Sequence, residues 1–115
     1  DLDTWADYTG AERGGTDFIL YKAVTADLKS ERGFSYPIGQ TVEVEKWTAN
    51  NECGGGLHLS PTPSQARSYF YGATRYLRCR VAADDLRPIP GGVAKAKARR
   101  VTVEAEVDLF GRVIA

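Results

Sequence analysis

The feature that most constrains the fold is a long run of two-residue alternation near the carboxyl end, KAKARRVTVEAEVD at positions 95–108. Val101, Val103, Ala105 and Val107 fall on one side, and Arg100, Thr102, Glu104 and Glu106 on the other. That is the period of a strand with one buried face. RYLRCRVA (75–82) repeats it, with Tyr76, Arg78, Arg80 and Ala82 set against Leu77, Cys79 and Val81. TVEVEKW (41–47) does the same, placing Val42, Val44 and Lys46 on one face. DFILYKAV (17–24) is apolar on both faces and rich in strand formers, so it reads as a central strand.

Helical signals are concentrated in one place. After the short strand GLHLS (56–60), Thr62-Pro63-Ser64-Gln65 forms a capping box with proline at the first helical position. Ala66, Tyr69 and Phe70 then share one helix face, and Gly72 ends the helix. Residues 48–56 and 82–92 are dense in turn formers, and 109–115 reads as a short terminal strand or tail. Strands and helix mix without a βαβ rhythm. The expectation is an α+β fold: a mostly antiparallel sheet of five or six strands with one main helix at about 62–71. Residues 1–16, polar and ending in glycines, read as a flexible amino-terminal arm with at most a helical turn around Trp5 and Tyr8. Residues 17–115 form the single domain.

At 115 residues one core is feasible. Fifteen basic residues balance fifteen acidic ones, so no global field points to nucleic acid or an anionic membrane. No apolar run approaches the roughly 20 residues needed to span a bilayer, and no signal peptide is visible. The absence of any methionine leaves open a longer parent chain. The two cysteines, Cys53 and Cys79, read first as free thiols in a reducing compartment, with one disulfide or half a metal site as the alternative.

The chemistry-bearing stretch is CGGGLHLSPTPSQARSYF, residues 53–70, which holds the chain's one histidine. His58 and Ser60 alternate onto one strand face beside a glycine run that lets backbone approach a ligand closely. The helix after Thr62 offers free amide groups and a positive dipole end, suited to phosphate. The competing reading is a tight strand-to-helix corner with a satisfied histidine. Cys53, His58 and Cys79 match no zinc spacing, so no metal is assigned; a Cys–His nucleophilic pair is equally without support. Lys95, Lys97, Arg99 and Arg100 could follow a nucleic-acid backbone or simply protect a sheet edge. Glu104 and Glu106, two apart on one strand face, could serve a transferase or pair with arginines on neighbouring strands.

ILYKAV, RGFSYPIGQTVEV, ECGGGLHLSPTPSQARSYF, RYLRCRVA and AKARRVTVEAEV together resemble an uncharacterised domain family common in phage genomes. The shared features are Tyr21-Lys22-Ala23, the Gly33-to-Gly39 turn, Cys53, and Gly56-Leu57-His58. The resemblance covers about residues 18–108 and departs at Leu57 and in a longer glycine loop. It implies a small phage accessory protein of unknown activity that binds a host or virion protein in the host cytoplasm, with no cofactor. A fainter likeness runs to the ADP-ribosyltransferase and RNA 2′-phosphotransferase superfamily, through Leu20-Tyr21-Lys22 and Leu57-His58-Leu59-Ser60 with Ala66. That likeness implies NAD as cofactor and His58, Lys22 and Glu104 as catalytic residues. Tyr21, Gly56, Ser60 and Thr62 would be the ligand-binding residues. Lysine stands where those proteins carry arginine or histidine.

Overall fold

The computed structural model describes residues 1–91 and 93–115. Its order is α1 (Leu2–Thr9), β1 (Glu12–Gly14), β2 (Asp17–Val24), β3 (Thr41–Glu43), β4 (Leu57–Leu59), α2 (Pro63–Tyr69), β5 (Arg75–Ala82), β6 (Leu86–Pro88), β7 (Ala96–Ala98) and β8 (Arg100–Val107). The α+β class stands. The expected single sheet is instead two antiparallel sheets: five strands in the order β1-β2-β5-β8-β3, and three in the order β4-β7-β6.

The long alternating run is what divides. At Arg99 the chain turns a corner: its amide donates to the Asp85 carbonyl and its own carbonyl accepts from Val44. Residues 96–98 then belong to the small sheet and 100–107 to the large one. Both halves feed one core. Leu57, Leu59, Leu86, Ala96 and Ala98 from the small sheet meet Phe18, Leu20, Val24, Leu77, Cys79, Val81, Val101 and Val103 from the large one.

The first sixteen residues, expected as a flexible arm, fold onto this core. Asp1 caps α1 by accepting from the Thr4 amide, and Gly10 closes it in the left-handed conformation. Trp5, 6% exposed, packs inward and donates its indole N–H to the Val93 carbonyl at 2.9 Å. β1 then covers the edge of β2 at Asp17–Ile19.

The main helix is shorter than expected. Its Ala66 packs with Ile19, Tyr21, Ala23 and Val107 on the opposite face of the large sheet. Val107 reaches that face because of a bulge. Arg78 is opposite Ala105, and Cys79 is opposite Val103, so Glu104 is the extra residue. Alternation inverts there: Val101 and Val103 face the main core, whereas Val107 faces α2.

Two reciprocal backbone bonds join the sheets. Tyr21 donates to the Ser60 carbonyl at 2.8 Å, and Ser60 donates to the Tyr21 carbonyl at 3.0 Å. This contact lies on the same edge of β2, just beyond where β1 ends. No helix among the described residues is long and apolar enough to cross a membrane.

Leu59, 1% exposed, sits where the small sheet meets the main core. Leu59→Ala is expected to lower unfolding free energy by about 2–5 kcal/mol, read from the shift in denaturant midpoint at unchanged slope. A change within the measurement's error would place this strand outside the cooperative core.

Candidate functional site

The Tyr21–Ser60 bridge sets β4 beside β2, and a hollow of about 410 Å³ opens at their junction. Its walls come from Tyr21–Ala23, Cys53–Ser60, a turn around Ser30–Arg32, Tyr36, Lys95 and one side of α2. The turn is a small hairpin, closed by the Lys29–Ser35 bridge and by the Tyr36 amide donating to the Leu28 carbonyl. It carries Glu31 and Arg32 to the rim.

Lys22 shares its side of β2 with Phe18, Leu20 and Val24, so it enters from the core side. Its Nζ donates to the His58 carbonyl at 2.8 Å and lies 5.6 Å from the Tyr36 ring centroid. Burial pushes its pKa down to about 8, with Cys79 opposing, Lys95 lowering it further and Glu31 opposing more weakly. Tyr36 is 1% exposed, and burial raises its phenol pKa.

His58 is half-buried and pairs across the small sheet with Lys97. Its Nε2 accepts from the Gly54 amide at 3.3 Å. Burial, then Lys95, Lys22, Lys97 and Arg32, lower its pKa to about 4. The ring is therefore neutral near pH 7, and with Nε2 accepting, its proton sits on Nδ1 as a donor.

Lys97 was expected in an exposed basic patch. Instead it is 0% exposed. Its Nζ donates to Asn50 Oδ1 at 2.7 Å and to the Gly54 carbonyl at 3.0 Å, with the Trp47 ring 5.5 Å away. It thus ties the 47–56 loop onto the small sheet. The glycines permit this fit: Gly55 has φ +68°, and a Cβ there would collide with Thr48. The rest of the patch is dispersed as well. Lys95 lies over Tyr69, and Arg100 pairs with Glu43 at 2.8 Å.

Of the residues singled out in the sequence, Tyr21, Lys22, Gly56, His58 and Ser60 line the hollow, whereas Glu104 and Thr62 do not. Glu104 accepts from Arg78 and Arg80 at 3.1 and 3.0 Å. The bulge also separates it from Glu106, which pairs with Arg75 at 2.7 Å. The expectation that the two glutamates share a face fails for that reason. The Thr62 hydroxyl accepts from the Gln65 amide and donates to Gln65 Oε1, so it serves the cap. α2 presents Ala66, Tyr69 and Phe70 to the hollow rather than its amino end.

Cys53 is exposed in the loop and Cys79 buried, both as free thiols. Burial raises the Cys79 pKa to about 12, so it stays protonated in the core. The His58 acceptor is taken by Gly54, which leaves no base poised toward Cys53. Among the described residues no group of three or more His, Cys, Asp or Glu could hold a metal ion. Reading the sequence assigned Arg32 and Tyr36 no site role, put Lys95 in a basic patch rather than at the hollow, and missed the tether at Lys97. For Lys97 a signal existed: a lysine flanked by two alanines on a strand, following a loop rich in polar acceptors.

The model of a family described as "Domain of unknown function (DUF7666)" matches residues 18–114, and the chain belongs to that family. No curated protein and no solved structure matches it. The matched span takes in every wall of the hollow and leaves out α1 and β1.

Lys97→Met removes the donor to Asn50 and Gly54 while keeping the buried stem. The expected loss is about 1–3 kcal/mol, with faster hydrogen exchange confined to amides of the 48–56 loop. Unchanged exchange there would contradict the tether. His58 supplies a second test. Its folded pKa is depressed from 6.5 to about 4, so between those values the unfolded chain binds the extra proton. Stability attributable to His58 is complete above pH 6.5 and is lost as pH falls toward 4. Wild type should therefore lose stability relative to His58→Gln across that window in denaturant titrations, and parallel curves would contradict a buried neutral ring.

Proposed function

We propose that this member of the family binds a small phosphate-bearing anion in the hollow between β2, β4 and α2. The observation that carries the reading is convergence: Lys22, Arg32 and Lys95 line one cavity with a single carboxylate, Glu31. Partial exclusion of water strengthens each of these charges. Neutral His58 adds an N–H donor that does not need to be protonated. Tyr69 at the end of α2 and Phe70 just after it supply apolar surface for a base or sugar beside the phosphate. A nucleotide such as NAD or ADP-ribose is the larger ligand of this class. Transfer chemistry of the ADP-ribosyltransferase kind is not part of the reading, because Glu104 is held by two arginines outside the hollow.

A second reading is the accessory role, binding of a host or virion protein. It is favoured by apolar side chains left in solvent at the carboxyl end: Phe110, Val113 and Ile114 are 84%, 62% and 60% exposed. Val113 sits on a backbone bridge to Val107 that holds this segment in place. Trp5 lies in the core and adds nothing to such a surface, while Tyr71 is 75% exposed. Nucleic-acid binding through residues 95–100 has less support, since Lys97 is enclosed.

The primary reading is tested by thermal unfolding with pyrophosphate, ADP-ribose and NAD. A ligand at 100 times its Kd stabilises by about 2.7 kcal/mol, a midpoint rise on the order of 10 °C for a chain this size. Lys22→Gln is expected to weaken binding about tenfold or more, by loss of one charge-assisted contact. Raising salt should weaken it further. No midpoint shift with any of the three at millimolar concentration would overturn the reading.

A further inference from the structure

Lys22 is the unusual group in this hollow. It is a half-buried amine on a strand whose same-side neighbours, Phe18, Leu20 and Val24, are sealed in the core. Among the described residues it takes part in no ion pair, whereas Lys29, Arg75, Arg78, Arg80 and Arg100 all do. Its one hydrogen bond is to the His58 carbonyl. A carbonyl accepts from an ammonium or, more weakly, from a neutral amine. In the neutral form, one N–H meets that carbonyl and the nitrogen lone pair remains available to the hollow.

We propose that Lys22 is an imine-forming amine, adding to the carbonyl carbon of a small phosphate-bearing aldehyde or ketone admitted to the hollow. The inference rests on the anion-binding reading, because Arg32 and Lys95 hold the phosphate while the carbonyl end reaches Lys22. The nitrogen lone pair forms the new C–N bond, and the carbonyl π electrons move to oxygen, which takes a proton. The nitrogen gives one proton to water, leaving a carbinolamine. A second proton, taken from solvent, lets the hydroxyl leave as water while the nitrogen lone pair forms C=N, and the resulting iminium returns its remaining N–H proton to solvent. Amine and carbonyl yield imine and one water, with no change in oxidation state.

The groups facing Lys22 favour this chemistry on balance. Burial and the Lys95 charge disfavour the ammonium. Cys79, Glu31, the Tyr36 ring and the His58 carbonyl favour it, but burial outweighs them, and Glu31 forms no ion pair with it. Cys79 is a protonated thiol, and His58 is uncharged near neutral pH. A group at about 8 keeps roughly a tenth of its population as free amine near neutral pH, on the order of 100-fold more than an ordinary lysine. A desolvated lysine beside a second cation is the arrangement that makes a nucleophilic amine. Lys97 lies nearby but is sealed by two hydrogen bonds and full burial.

The test uses pyridoxal 5′-phosphate as the anionic aldehyde, borohydride to trap the imine, and peptide mapping by mass. Near neutral pH, labelling at Lys22 is expected to exceed that at Lys29 or Lys46 by about tenfold or more. Excess pyrophosphate should suppress it. Lys22→Arg removes the primary amine and should lose the dominant adduct, with the background labelling of Lys29 and Lys46 unchanged. A pyrophosphate shift without preferential labelling of Lys22 would overturn the imine and leave anion binding intact. Absence of both the shift and the labelling would remove both. Equal labelling of Lys22, Lys29 and Lys46, unaffected by pyrophosphate, would also overturn the inference.

Discussion

The reciprocal pair of hydrogen bonds between Tyr21 and Ser60 is the constraint on which the rest of the site depends. β1 covers β2 only as far as Ile19. The free edge beyond it would expose unpaired amide and carbonyl groups. Ser60 fills that edge, and in doing so draws the end of β4 across from the small sheet. His58, two residues earlier, then has its carbonyl within reach of Lys22. The same step turns the chain into α2, whose Ala66 packs back on Tyr21 and Ala23. One edge contact therefore closes the core on one face and opens the hollow at the junction.

The fold also encloses two lysines without a carboxylate partner, and it handles them differently. Lys97 is satisfied by an amide oxygen, a carbonyl and an aromatic face. Its charge is therefore spent on holding a loop. Lys22 has one carbonyl and an opening to solvent. Burying an ammonium with so few partners is unfavourable, and the group responds by titrating lower. A lysine kept in such a place adds little to stability, since an apolar residue would pack there at least as well. That imbalance singles out Lys22 rather than Lys97 as the reactive member.

The strands at 17–24 and 75–82 were legible because each is long, unbroken and patterned over its whole length. The cap at Thr62 was legible because its chemistry is local. The assignment of strands to two sheets was not. Residues 96–98 and 100–107 alternate as if continuous, and only the tertiary hydrogen bonds of Arg99 to Asp85 and Val44 divide them. The bulge at Glu104 was hidden for a similar reason, since an inserted residue on one strand is visible only against its partner. α1 was underestimated because its buried face holds little beyond Trp5 and Ala6. At the site, Tyr21, Lys22, Gly56, His58 and Ser60 were found through short-range pattern. Arg32 and Lys95 arrive from a distant turn and from the residue just before β7, and no local spacing records that.

The bulge bears on chemistry as well as on register. Without it, Glu104 and Glu106 would share a face, and a pair of carboxylates could flank one reaction centre. With it, each is committed to arginine on a different side of the sheet, and each carboxyl is held below its usual range by those guanidinium hydrogen bonds. The hollow is left with an amine, a neutral imidazole donor and two further cations, against Glu31 at its rim. Such a set suits anion capture and carbonyl addition better than hydrolysis, which needs a base to activate water. Every one of these groups lies within residues 18–114, the span that the family model matches. The lining of the hollow thus lies wholly inside the matched span, while α1 and β1, outside it, complete the core and the sheet edge.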